Sequence, residues 1–225
     1  MDYYVMNIIF YILIIAIPLI AQIRISSNYS KYKKISNNEG ISGFEVARKI
    51  LDANGLDDVY VVEVQGNLTD HYDPTRKTVR LSSDVFKGET IASSAIAAHE
   101  CGHAIQDKVG YTPMKIRSML VPVVNISSKF AWFVILIGFI TQYFRVFYIG
   151  IGLISIGLIF QLITLPVEFD ASKRGKEELN KLRIVSEDEA TGVKKMLGAA
   201  AMTYVAGVLS SILEILRLII MFRDN

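Results

Sequence analysis

The chain has 225 residues, 52% of them hydrophobic, and its mean hydropathy of +0.37 is high for an ordinary soluble domain. Acidic and basic residues nearly cancel to a formal net charge of +2, which excludes a bulk nucleic-acid binder. The single cysteine, Cys101, excludes an internal disulfide framework and fits a reducing compartment.

The apolar residues come in blocks. Tyr3 to Ile23 carries no charge and is long enough to cross a hydrocarbon core of roughly 30 Å as a helix. No basic segment precedes it and no small-x-small cleavage site follows, so residues 1–24 are expected to be a retained anchor rather than a signal peptide. The polar stretch from Ser26 to Gly40 reads as a linker.

Residues 25–120 read as a small folded domain. In SGFEVARKILDANG, Ser42 with Glu45 three residues on forms a capping box, and Asn54-Gly55 is a stop signal. DVYVVEVQ is rich in β-formers and KTVRLS alternates, with LTDHYDPTR expected as a turn between them. KTVRLS leads toward the next helix and is expected to be an edge strand, able to hold an extended peptide by main-chain hydrogen bonds.

A helix is expected from about Thr90 to about Lys108, ended by Gly110, and it contains AIAAHECGHAIQD. Residues four apart share one helix face, so His99 and His103 can offer imidazole nitrogens to one ion, with Glu100 beside them. Zinc suits such a pair, because it is borderline-soft and leaves a position open for water. A carboxylate next to zinc-bound water can take its proton, the role Glu plays in this motif. The competing reading is an accidental match on an Ala-rich helix. Cys101 points off that face and reads as a small core residue, and Gly102 as a site of close helix packing.

A second apolar run, Phe130 to Phe144, extends back to Leu120 if Lys129 snorkels, and a third covers Val146 to Val167. Together they make a transmembrane hairpin over 121–167. Next comes LPVEFDASKRG, where Glu168 and Asp170 stand at the membrane edge and are the candidates for a third metal ligand. The competing reading is that they cap a helix starting after Pro166, where negative charge suits the helix dipole. A polar segment, 168–196, precedes a last span over 197–225, in which Glu214 and Arg217 can pair on one face. Arg24, Lys31, Lys33 and Lys34 follow the first span, Lys115 and Arg117 precede the second, and Lys173, Arg174 and Lys176 follow the third. All lie on one side, which the positive-inside rule makes cytoplasmic, with both termini outside.

Two further residues invite a role. His71 in DHYDP could contact substrate, against a turn built on Asp70, Asp73 and Pro74. Tyr204 could stabilise an oxyanion, against a packed interfacial tyrosine.

Taken together, AAHECGHAIQ, LPVEFDASKRG, DHYDP and AAAMTYVAG resemble the YugP-like membrane zinc metallopeptidases, over most of the chain. More distantly the chain is similar to the HtpX and Ste24 membrane proteases, which share the HExxH helix and a later glutamate ligand. The resemblance implies one zinc ion held by His99, His103 and Glu168, with Glu100 as catalytic base. In the distant relatives an aspartate four residues after the ligand glutamate orients a histidine. Here that position is Ser172, with Asp170 two residues after Glu168, so both are candidates for the supporting shell.

The expectation is therefore a mainly α, polytopic membrane protein with a small cytosolic α/β, gluzincin-like domain. It acts as a zinc endopeptidase at the cytoplasmic face of the cell membrane. Its partners are the lipid bilayer and a membrane-associated polypeptide substrate, without nucleic acid. The alternative is a non-catalytic zinc-binding scaffold or adaptor for a partner protease, and an intact Glu100 favours the enzyme.

Overall fold

A computed structural model describes residues 3–223. In chain order the elements are α1 (Tyr3–Tyr32), α2 (Gly43–Ala53), β1 (Tyr60–Val64), β2 (His71–Asp73), β3 (Thr78–Ser82) and α3 (Ser83–Lys87). They are followed by α4 (Ile91–Lys108), α5 (Thr112–Thr141), α6 (Phe144–Lys181) and α7 (Glu187–Arg223). The protein is mainly helical with one small three-stranded sheet. It divides into two compact units, one of residues 1–22, 115–165 and 202–225, the other of 23–114 and 166–201.

The first unit consists of parts of α1, α5, α6 and α7, four helices long and apolar enough to cross a membrane. Most of its large apolar side chains are exposed, Phe133, Trp132 and Ile140 among them. In water such a surface would be a severe liability; in lipid it is the expected finish. Its interior is tight because glycine lets helices approach. A Cβ on Gly138 would lie 2.5 Å from the Phe147 nitrogen, and one on Gly150 would lie 2.4 Å from the Ile135 side chain. Phe147 is fully buried and stacks on Phe222 at 3.8 Å between ring centres.

In the second unit α2 begins as its sequence requires. Ser42 Oγ accepts from the Glu45 N–H at 3.3 Å, while the Ser42 N–H donates to Glu45 Oε2 at 2.7 Å. The fully buried Val46, Ala47, Ile50 and Leu51 of α2 join Val79 and Leu81 of β3 and the alanines of α4 in one core.

Three expectations are corrected here. KTVRLS is not an edge: the strand order is β1-β3-β2, with β3 in the middle, parallel to β1 and antiparallel to β2. LTDHYDPTR is not only a turn, since His71–Asp73 pairs with Thr78–Arg80 as β2; Asp73 then builds the turn by accepting the Thr75 and Arg76 N–H groups at 3.0 and 3.1 Å. The Ser26–Gly40 stretch is not wholly a linker. Helix α1 continues to Tyr32 because Ile25, Tyr29 and Tyr32 fall at helical spacing and pack into the core of this unit.

The reading of Glu168 and Asp170 as caps of a new helix is also overturned. Helix α6 runs unbroken through Pro166, so both stand in mid-helix. A proline inside a membrane-type helix forfeits one backbone hydrogen bond but need not end it.

Candidate metal centre

Helix α4 starts at an N-cap, Thr90, whose side chain accepts the Ser93 N–H at 3.2 Å, and Gly110 just past its end has a φ of +65°, a left-handed turn that suits glycine. Its small residues decide what comes next. A Cβ on Gly102 would sit 2.3 Å from the Ala171 carbonyl oxygen, and one on Gly175 would sit 2.7 Å from the Ala98 carbonyl oxygen. Each helix of the crossing thus places a glycine against the other's backbone. Closing α4 on α6 to this extent brings a side chain of α6 within reach of the two histidines.

That side chain is Glu168. The candidate ligand atoms of His99, His103 and Glu168 all lie within 4.8 Å of one another. Glu168 Oε2 is 3.2 Å from His99 Nε2 and 3.6 Å from His103 Nε2. Zinc bonds of 2.0–2.1 Å at tetrahedral angles put neighbouring donors about 3.3 Å apart, which the two carboxylate–imidazole spacings approach. Two imidazoles and a carboxylate are also a donor set zinc accepts, and three protein ligands leave a position open. Asp170, the other candidate, is not in the cluster.

The remaining ring nitrogens are engaged. His99 Nδ1 lies 3.1 Å from Ser172 Oγ, and His103 Nδ1 lies 3.0 Å from Gln106 Oε1. Gln106, buried completely, donates from Nε2 to Val167 O at 2.8 Å and to Asp170 Oδ2 at 2.9 Å. Arg174 Nε in turn donates to Asp170 Oδ2 at 2.6 Å. The two sequence candidates for a supporting shell thus divide between the histidines, Ser172 directly on His99 and Asp170 through Gln106 on His103. Gln106 escaped the sequence reading. Its only signal was its spacing, three residues after His103 and so on the same face.

Glu100 is 7% exposed, and its carboxylate accepts no hydrogen bond from any described residue. Burial raises its pKa, and the positive charge the two imidazoles can carry pulls only partly the other way. For His103, burial works against a charge, but the Glu168 carboxylate outweighs it and the pKa is raised. The centre favours positive charge, and a proton and a metal ion compete for the same lone pairs.

The other candidates lie elsewhere. His71 is exposed on β2, with Nδ1 2.8 Å from Thr69 O, and does not join the cluster. Tyr204 is on α7 in the part belonging to the first unit. Cys101 is fully buried, its Sγ 3.6 Å from Ala47 O, and burial pushes its thiol pKa up, so it is a core residue.

Residues 7–223 match the model of a family described as "Putative neutral zinc metallopeptidase". The chain is 45% identical over 205 residues, 91% of each chain, to the "Putative membrane protease YugP" of Bacillus subtilis (strain 168). No solved structure matches.

Proposed function

The chain belongs to this neutral zinc metallopeptidase family, and from that premise we propose that it is a membrane zinc endopeptidase working at the cytoplasmic face. The observation that carries the reading is the convergence of His99, His103 and Glu168 beside the largely buried Glu100.

His99, His103 and Glu168 would hold one zinc ion, in a gluzincin-like arrangement. When bound, zinc supplies a Lewis acid for a peptide carbonyl and lowers the pKa of water from 15.7 to about 7. Glu100 takes a proton from the attacking water on its carboxylate and delivers it to the leaving amide nitrogen. Its raised pKa suits a group that must both accept and return a proton. An extended polypeptide pairs along β2, the end strand next to α4, in place of the central β3. The substrates are membrane-associated or unfolded membrane polypeptides.

The basic residues that follow the first apolar span and those in the polar part of α6 support a cytoplasmic second unit with both termini outside. Single cysteines at Glu39 and Asn180, both exposed, in a Cys101→Ala background should resist an impermeant thiol reagent in intact cells. Labelling of both would reverse the orientation, and labelling of Asn180 alone would break the hairpin and the shared site.

The deciding experiment uses the full chain, purified in detergent and loaded with zinc, on an unfolded polypeptide. Cleavage by the parent is expected, together with retention of uncut polypeptide by Glu100→Gln after crosslinking. A zinc-loaded parent that binds polypeptide without cutting it would favour the scaffold reading instead.

A further inference from the structure

The partners of the two ligand histidines differ in kind. Ser172 Oγ, 3.1 Å from His99 Nδ1, is a hydroxyl, which can donate or accept, so it accommodates either imidazole tautomer. Gln106 has no such freedom. Its Nε2 faces Val167 O at 2.8 Å and Asp170 Oδ2 at 2.9 Å, and both are acceptors. The NH2 end of the amide must therefore point at α6, and the Oε1 end is left facing His103 Nδ1 at 3.0 Å. An acceptor there requires a proton on Nδ1, so that in the neutral imidazole it is the Nε2 lone pair of His103 that is turned toward Glu168.

The same amide also holds the helix that carries Glu168, because Val167 is its immediate neighbour in the chain. Asp170 is itself fixed by Arg174, whose guanidinium lies 5.9 Å from the centre of the Tyr111 ring. A chain of hydrogen bonds thus runs from the half-buried Arg174 and Asp170 through the buried Gln106 to His103, and every member has its partner.

We propose that Gln106 is the positioning residue of the metal centre: its one buried amide sets the tautomer of His103 and pins the turn of α6 that presents Glu168. This rests on the zinc-centre reading above. Zinc affinity should then depend on the direction of the amide's polarity, beyond its fit to the core.

Zinc affinity of the full-length protein in detergent, measured by competition with a chelator, tests this, with the visible spectrum of the cobalt-substituted protein as a second readout. Gln106→Met keeps the side chain's length and removes donor and acceptor together. It should weaken zinc about 10–100-fold, the usual cost of losing a partner behind a ligand, and shift the cobalt bands. Gln106→Glu keeps the acceptor for His103 but turns an acceptor toward Val167 O and Asp170, and should also bind weakly. The inference is overturned if Gln106→Met binds zinc as tightly as the parent with the parent's cobalt spectrum, or if Gln106→Glu does. His103→Ala separates the two levels. If the parent holds no zinc, or His103→Ala holds it equally well, the metal reading falls and takes this inference with it. If His103→Ala loses zinc while Gln106→Met keeps it, only the role of Gln106 falls.

Discussion

Each unit of the molecule buries a cluster of ionisable residues, and the two clusters are built on opposite principles. In the membrane-type unit, Arg217 of α7 donates to both oxygens of Glu214, at 2.6 and 3.1 Å, and to the Tyr11 hydroxyl of α1 at 2.8 Å. Its guanidinium also lies 4.3 Å from the centre of the Tyr11 ring. Donors and acceptors match, and the charges cancel inside the cluster. In the other unit, ligand-type nitrogen and oxygen atoms of His99, His103 and Glu168 lie within 4.8 Å of one another, and Gln106 stands behind His103. The first cluster is complete as it stands, whereas the second gathers three donor atoms of the kind that hold a cation. Burial of charge alone therefore does not mark the site.

The largest effect should come from the residue beside the open cluster. Glu100→Gln should lower kcat by about 10²–10⁴-fold, the usual contribution of a general base, with zinc content unchanged. Glu168→Ala should instead lose the metal, and elemental analysis separates the two outcomes. A zinc-loaded Glu168→Ala with Asp170→Ala empty would transfer the ligand to Asp170.

The closed cluster should respond as a structural ion pair. Glu214→Ala leaves Arg217, 5% exposed, without its counter-charge and should destabilise the membrane unit by about 3–5 kcal/mol. Joint replacement by Glu214→Leu and Arg217→Met should cost far less, because the pair is removed together. Unfolding in mixed micelles reads both. A large loss of activity in the folded double variant would mean that this cluster is more than structural.

Removing metal should sharpen the contrast further. Zinc at a hundred times its dissociation constant stabilises the folded state by about 2.7 kcal/mol, and chelation should withdraw this from the unit that holds the ligands. Hydrogen exchange should then rise in α4 and in the part of α6 near Glu168, with Arg217 and its neighbours unchanged. Uniform loosening of both units would contradict separate clusters. The smallest effect is expected at Ser42→Ala, which removes the capping box of α2 for about 1 kcal/mol and leaves zinc affinity untouched.

What the sequence legibly contained was local. The HExxH spacing, the Ser42–Glu45 box and the four apolar runs are written in consecutive residues, and helix period or span length alone reads them. The resemblance singled out Glu168 as the expected third ligand, and the family match spans residues 7–223.

What tertiary structure decided was pairing. A three-residue strand such as His71–Asp73 has no period of its own to show, and its existence depends on β3 lying beside it. For the same reason KTVRLS reads identically as an edge or a centre, and only its two neighbours make it central. Pro166 looks like a boundary in the chain, yet the helix passes through it and brings Asp170 and Ser172 to the turns beside Glu168. Gln106 shows the limit most plainly. Its spacing from His103 is visible in the sequence, but the direction of its amide is set by a carbonyl and a carboxylate more than sixty residues away in the chain. Local order follows from the side chains a segment carries; the polarity of a buried hydrogen bond follows from what the fold places opposite them.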